Sequence, residues 1–463
     1  MAPPGPTDSG EDVFLRGQLL DCPQLLDAGR VVVGFSGGLD STVLLHLLAG
    51  LRDTGRLNAP LLALHVNHGL QAEANPWQEH CRRQAEHFGI PFLAQRVNVS
   101  QAGGRSPEAA AREARYAVFA GFMQPGSVLV LGHHADDQVE TVLLHLLRGS
   151  GPRGLAGMPR QRELGGGRLC RPLLGVPRAH LLEHARQHEL IWIEDPSNGD
   201  PRYTRNFLRS SVIPLLRQQA PGLQQGVLRS ASLQAEAEQL LGELAAADLA
   251  IALAGQPNQL RAASLRQWSP ARVRNLLRHW VRGLQTAFDG SDITHQALEG
   301  CIAQLLSARE DAEPLIAWGE AGRRLELRRF QDRLYLVKPM PVVPLVLDWD
   351  PALPLPLPGV LGSLRCITAG GAAPAAGTWP RLQVRFRQGG ERLQVVGRPT
   401  HSLKQLLQER GVPPWLRPCV PLVWCGDSLL AAGDLFVHAD WPALMPEKAA
   451  RFIWDRQHLH CGW

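Results

Sequence analysis

The chain has 463 residues, too many for one ordinary domain and enough for two or three of about 100 to 200 residues each. With 44% hydrophobic and 20% charged residues it reads as globular; the opening MAPPGPTDSGEDVF lacks the basic start and apolar core of a signal peptide, and no later run approaches the roughly 18 apolar residues that span a bilayer, so a cytoplasmic location with no membrane partner is expected. Eight cysteines without a C-x-x-C pair or zinc spacing give no sign of a disulfide framework or structural metal, and a formal charge of +5 is modest.

Residues 1–24 read as a flexible amino-terminal segment. From Arg30 to about Gly149 apolar runs alternate with helical patterns: VVVGF (31–35), a helix from about 41, LLALHVN (61–67), a helix near 76–88, PFLAQRVNV (91–99), a helix from 107, SVLVLG (127–132) and a helix from 136. Strands this apolar, each followed by a helix, predict a parallel sheet covered on both faces, within an α/β domain over 25–220. Ser106 as cap, Pro107 in the first position and Glu108 in the first turn mark the start of the third helix.

Beyond 220 the pattern turns to a long Ala/Leu/Gln/Arg-rich stretch that runs to roughly 310, and 221–338 is expected to be mainly helical with a β-containing end. Between Leu249 and Phe288 stand Arg261, Arg266, Arg272, Arg274, Arg278 and Arg282 without one acid, interleaved with Trp268, His279 and Trp280. Arginine forks grip phosphates and aromatics stack on unpaired bases, so this face is a candidate for a polyanion; a solvated helix face is the competing reading. Of the 48 basic residues 45 are arginine, for which genomic base composition is a better explanation than selection for phosphate contacts. The prolines of 339–375 predict a linker or edge-strand region, and 376–463 a third, small α+β unit.

The informative segment is VVVGFSGGLDSTVLLHLL (31–48), a strand that runs through Ser36, Gly37, Gly38, Leu39, Asp40 and Ser41 straight into a helix. Two glycines let the backbone turn its N–H groups onto an anion, Ser36 and Ser41 add hydroxyls, and the helix N-terminus adds its positive end. These features predict a pyrophosphate cradle at the carboxyl edge of the sheet. No lysine follows a glycine, which excludes G-x-x-x-x-G-K-[ST], and G-x-G-x-x-G is missing from this turn.

SGGLDS resembles the SGGxDS signature of the PP-loop (N-type) ATP pyrophosphatases, which cleave ATP between the α and β phosphates and place AMP on a substrate oxygen. LHVNHGL (64–70), LGHHADDQVETVLLHLLRGSG (131–151), RGLAGM (153–158) and IEDPSNGDPRYTRNFLR (193–209) are similar, in order, to the blocks of the tRNA(Ile)-lysidine synthetases, and 387–432 resembles the carboxyl-terminal domain of the long form of that family. The resemblance implies ATP as co-substrate, magnesium at Asp40, free L-lysine, and a tRNA(Ile) with a CAU anticodon. Lysine would be joined to carbon 2 of the wobble cytidine, changing decoding from AUG to AUA. Monomer and homodimer are both compatible with it.

Several side chains have paired readings. His133, His134, Asp136 and Asp137 fall where the fourth strand enters its helix; the aspartates either cap it or, for Asp137, take part in catalysis or hold the lysine ammonium, with His133 as a nucleotide contact. Asp137 and Glu140 are expected opposite the apolar face of Val139, Val142, Leu143, Leu146 and Leu147. Arg112 and Arg115 resemble the family's ARxxRY segment, Arg112 as phosphate contact or as a solvent-facing arginine. The run Asp195, Ser197, Asn198, Arg205 and Asn206 is an Asx-turn and cap, or, as the resemblance implies, orders the site through Asn198 and Arg205. His65, Val66 and Asn67 end the second strand, where the superfamily seats adenine. The rival functions are a PP-loop tRNA thiolase, which needs cysteine chemistry this chain lacks, a small-molecule synthetase, and a non-catalytic tRNA-binding scaffold.

Overall fold

The computed structural model describes residues 10–67, 74–97, 107–194, 204–288, 290–305, 314–320, 322–340, 346–377, 379–441 and 450–456. It divides into two compact units, Met1–Gln239 and Leu240–Trp463. In the first, helix α1 (Gly10–Leu20) precedes the alternation β1 (Arg30–Gly34), α2 (Leu39–Asp53), β2 (Leu61–Asn67), α3 (Ala74–His87), β3 (Phe92–Arg96), α4 (Pro107–Phe122), β4 (Ser127–Val130) and α5 (Ala135–Leu147). The hairpin β5 (Gln161–Leu164) and β6 (Gly167–Cys170) and helix α6 (Arg178–Gln187) follow. The sheet order is β3-β2-β1-β4-β6-β5, parallel throughout except for β5.

Strand alternation explains why these runs are apolar at every position. Val31 and Val33 enter one core together with Ala63, Val128 and Val130, while Val32 enters another with Leu64, Leu129 and Phe119. Each face is therefore sealed by its own helices, and burial of one such side chain stabilises by about 1.5–3 kcal/mol. β3 departs from this pattern, because it is the sheet edge and has no fully buried residue. The order also puts the carboxyl ends of β1 and β4 side by side.

Helix α7 (Leu223–Ala252) runs from the first unit into the second. There, α8 (Pro270–Phe288) buries Val273, Leu276, Leu277, Trp280 and Val281 in one core with residues of an antiparallel five-stranded sheet, Leu253–Ala254, Gln256–Arg261, Leu315–Trp318, Leu325–Phe330 and Arg333–Val337. The part expected to be mainly helical thus carries a full sheet, whose short strands lack the long apolar runs of a two-sided parallel sheet. Its basic face is also less available than the sequence implies. Arg272 pairs with the fully buried Asp248 (Nη2–Oδ1 2.6 Å) and stacks on Trp268, and Arg274 pairs with Glu299 (3.2 Å), both acids lying just outside the acid-free window.

The segment 339–375, expected as a linker or edge-strand region, contributes Val346–Trp349, Leu355–Pro356 and Ser363–Ile367 to two antiparallel sheets, the first two as edge strands. Trp349, Leu357, Leu361 and Leu364 enter the same core as Leu382, Val423 and Trp454. Its prolines leave room for edge pairing, and the alternate apolar residues decide its fate. Among the described residues no helix is long and apolar enough to cross a membrane.

Leu129, fully buried, and Leu147, 69% exposed, make a direct comparison. Leu129→Ala is expected to cost about 2–5 kcal/mol and Leu147→Ala about 0.5 kcal/mol or less, read from denaturant unfolding of the two variants.

Candidate active site

Between β1 and α2 the chain makes the bend its glycines predict. Gly37 has φ +80°, and a Cβ there would stand 2.7 Å from Cys81 Sγ, so glycine is required both by conformation and by the close packing of α3. The serine hydroxyls brace the loop from inside: Ser41 Oγ accepts from the Ser36 amide (3.3 Å), lies 3.1 Å from Ser36 Oγ and donates to the Gly38 carbonyl (3.0 Å). Leu39 points its side chain into the core, leaving only its backbone to the cradle. The first-turn amides of α2 have no carbonyl of the preceding turn to bond, and they are the groups this bend offers to an anion.

Asp40 lies in that first turn. Gly132, just past β4, lets the two edges meet, since a Cβ on it would come within 2.8 Å of the Asp40 carbonyl oxygen. His134 then connects them. Its Nε2 is 3.5 Å from Asp40 Oδ2 and 3.5 Å from Asp137 Oδ2. It also caps α5, Nδ1 accepting from the Asp137 amide (3.4 Å) while Asp137 Oδ2 accepts from the His134 amide (3.1 Å), a capping box. Burial lowers the His134 pKa, but Asp40, Asp137 and Asp136 outweigh it and hold the imidazole above its ordinary value.

Capping and charge pairing are both true of Asp137. Its Oδ2 closes the capping box, and its Oδ1 faces Arg205 Nη2 (3.2 Å) and Arg209 Nη2 (3.4 Å). The same guanidiniums enclose Glu140, through Arg205 Nε (2.7 Å) and Arg209 Nε (2.6 Å). Asp137 and Glu140 are nonetheless buried, covered by Arg205 of Thr204–Phe207 and Arg209 of Leu208–Val212. Burial raises the Asp137 pKa, yet His134 and the Arg205 guanidinium reverse this and keep it ionised. Asp136 is a tie between elements: it accepts from the Arg178 amide (2.9 Å) and Gln224 Nε2 (3.0 Å) and pairs with Arg217.

His133 and Arg112 belong to one chain of contacts. Arg171, buried just past β6, donates from Nε to His133 Nδ1 (3.2 Å) and from Nη2 to the Tyr116 hydroxyl (3.1 Å). Arg112 lies over the same tyrosine ring at 5.0 Å, exposed to solvent. Since Nδ1 accepts, the His133 proton sits on Nε2. Burial pulls the His133 pKa down to about 3, so it is neutral.

His65 Nδ1 donates to the Phe35 carbonyl (2.9 Å), immediately before the cradle, and burial followed by the charge of Arg115 keeps it neutral, with Nε2 left to accept. Val66 points to the opposite sheet face and packs beside Phe119. Asn67 Nδ2 donates to Gln78 (3.0 Å) and holds α3. Asp195, Ser197 and Asn198 lie outside the described residues. On one side of them the Ile193 amide donates to the Gly37 carbonyl (2.9 Å), and on the other Arg205 reaches Asp137, so both flanks meet the cradle edge.

Sequence reading passed over Arg171, Arg209 and Arg178. Arg209 follows Arg205 by one helical turn, a spacing that puts both on one face and makes it recoverable. Arg171 would have required recognising β6, a strand of four residues, GRLC, containing one glycine and one arginine.

Neutral His133 carries a pH signature. Below pH 6.5 the unfolded chain takes up a proton that the folded chain refuses until about 3, so this residue's contribution to stability is present above that window and is lost as pH falls through it. His133→Gln is expected to reduce the acid-side slope of unfolding free energy against pH by up to about one proton, measured by urea unfolding at a series of pH values.

Comparison with known proteins matches this geometry to a family. The PP-loop domain family matches residues 16–216, the TilS substrate binding domain 260–335 and the TilS substrate C-terminal domain 382–454. The tRNA(Ile)-lysidine synthase of Alkalilimnicola ehrlichii is 46% identical over 415 residues, covering 88% of this chain and 90% of that protein. That of Pseudomonas aeruginosa is 46% identical over 425 residues (88% and 90%), and that of Shigella flexneri 42% over 436 residues (94% and 98%). On identity and coverage alike, the chain belongs to the tRNA(Ile)-lysidine synthase family.

Proposed function

We propose that this chain uses ATP to join free lysine to carbon 2 of the wobble cytidine of tRNA(Ile), making lysidine. The observation that carries the reading is the meeting, at one sheet edge, of an anion cradle with a buried acid–base group, His134 standing 3.5 Å from both Asp40 and Asp137. The family's named members supply the substrate.

The chemistry has two steps. In the first the cytidine O2 attacks the α-phosphorus, an O–P bond forms, and pyrophosphate departs. In the second the lysine amine attacks carbon 2, a C–N bond forms, AMP leaves with its oxygen, and the amine's protons pass to base and solvent. The departing diphosphate is held by the amides of Gly37 to Ser41 and by the positive end of α2. His65 and the backbone at Val66 border the place beside Phe35 where adenine would lie.

Magnesium fits the carboxylate available. Asp40 Oδ1 is the kind of hard oxygen such an ion takes, buried and accepting no hydrogen bond, with Arg178 Nε standing 3.9 Å from it, and the other carboxylate oxygen faces His134. A bound magnesium ion would neutralise the charge that builds on the leaving diphosphate. Arg112, exposed beside the cradle edge, is assigned to phosphate, and His133, neutral with a donating Nε2, to a nucleotide oxygen. Asp137 is assigned to the lysine amine, with Arg205 and Arg209 keeping it ionised and oriented. A tRNA substrate puts the reaction in the cytoplasm.

With ATP, magnesium, lysine and tRNA(Ile), purified chain is expected to yield pyrophosphate, AMP and lysine-labelled tRNA; incorporation that depends on cysteine or sulfide would favour thiolation instead. Asp40→Ala is expected to abolish pyrophosphate release while leaving tRNA affinity nearly unchanged in a filter-binding assay. Asp137→Asn separates two roles: a raised KM for lysine with pyrophosphate release intact supports amine binding, and loss of pyrophosphate release would move Asp137 to the first step.

A further inference from the structure

On the sheet face behind the cradle, α1, α2 and α6 bring together a group of side chains that the reaction does not use. Asp12 comes from α1, His46 from α2, and His184 and His188 from consecutive turns of α6 and its end. Asp12 Oδ1 lies 2.7 Å from His184 Nδ1 and 2.8 Å from His188 Nε2, and the three ligand atoms all fall within 4.8 Å of one another. His184 is fully buried and Asp12 is 3% exposed, whereas the His188 side chain is 26% exposed and opens the group to solvent.

His184 Nδ1 is sealed from water and pairs with Asp12 Oδ1 at 2.7 Å, the oxygen that also faces His188 Nε2 at 2.8 Å. Two imidazole nitrogens thus converge on one carboxylate oxygen, an approach of three donor atoms that a bound ion would share. Behind it, His184 Nε2 is 2.9 Å from His46 Nδ1, the outer contact that fixes the tautomer of a metal-ligating imidazole.

We propose that Asp12, His184 and His188 form a binding site for a late first-row divalent metal ion, zinc being the cellular candidate, with His46 orienting the ring of His184. Two imidazoles and one carboxylate, with a fourth position open toward solvent beside His188, make a recognised zinc donor set. Ligand atoms around tetrahedral zinc lie about 3.3 Å apart, so the two contacts of Asp12 Oδ1 with His184 and His188 open by about half an ångström to admit the ion. The charge of Arg16 opposes the ion, which makes the Asp12 carboxylate indispensable to the set.

The site would tie α1 to α6, whose chain continues to Ile193 and its bond to Gly37. It is therefore a brace behind the cradle and independent of what the cradle binds.

The test is a zinc titration of metal-stripped, untagged full-length chain against a chromophoric chelator, with the thermal midpoint recorded alongside. One tight equivalent and a zinc-dependent rise in midpoint are expected. Asp40→Ala, altered at the nucleotide cradle, keeps that equivalent, while His188→Gln and Asp12→Asn each lose affinity by about tenfold or more and lose the midpoint rise. Because His188 is partly exposed, His188→Gln remains folded and interpretable if Asp12→Asn does not. Cobalt(II) in place of zinc is expected to give the intense visible bands of a four- or five-coordinate ion. Zinc-free wild type, or His188→Gln that binds zinc as tightly as wild type, would overturn the proposal.

Discussion

The site depends on one close approach. Where β4 ends, Gly132 lies so near the Asp40 carbonyl that any side chain there would collide with it. That contact puts the N-terminus of α2 against that of α5, two positive helix ends with the carboxylates of Asp40, Asp136 and Asp137 gathered between them. His134 spans the gap and touches both. Each carboxylate alone would be repelled by its neighbours. Together with the helix ends, His134, Arg205 and Arg209, they form a balanced group that remains charged although buried.

The balance explains a division of labour. Oxygens that face inward are committed: Asp137 Oδ2 to the cap, Asp136 to Arg178, Arg217 and Gln224. Those left for chemistry are few, Asp40 Oδ1 foremost. A cradle of amides for the leaving diphosphate and one hard oxygen beside it suit phosphoryl transfer, in which the protein mainly positions groups and stabilises charge. The neutral histidines, His65 and His133, add hydrogen bonds without adding charge.

The nucleotide half of this site was legible because its physics is local. A buried valine run entering glycine and serine at a helix start can be read residue by residue, and Gly37 turns as expected, while Ser41, expected to offer its hydroxyl to an anion, donates it to the Gly38 carbonyl. Partners distant in sequence were not legible. Nothing near Arg171 says that it will bridge His133 and Tyr116, and nothing near Asp12 says that it will meet His184. The partners of the acid-free window at 249–288 were hidden for the same reason, since Asp248 and Glu299 fold back onto Arg272 and Arg274. Of the two readings of the prolines at 339–375, edge strand prevailed over linker: around Trp349 and Leu364 apolar alternation built strands in a core.

The central claim is that the cradle serves to transfer AMP onto a nucleobase before any amine takes part. Chain incubated with tRNA(Ile), magnesium and ATP labelled in the α-phosphate, with lysine withheld, tests it most directly. The account predicts label covalently attached to the tRNA and discharged as AMP when lysine is added. Label found on lysine in a reaction without tRNA, or never on tRNA at all, would contradict it.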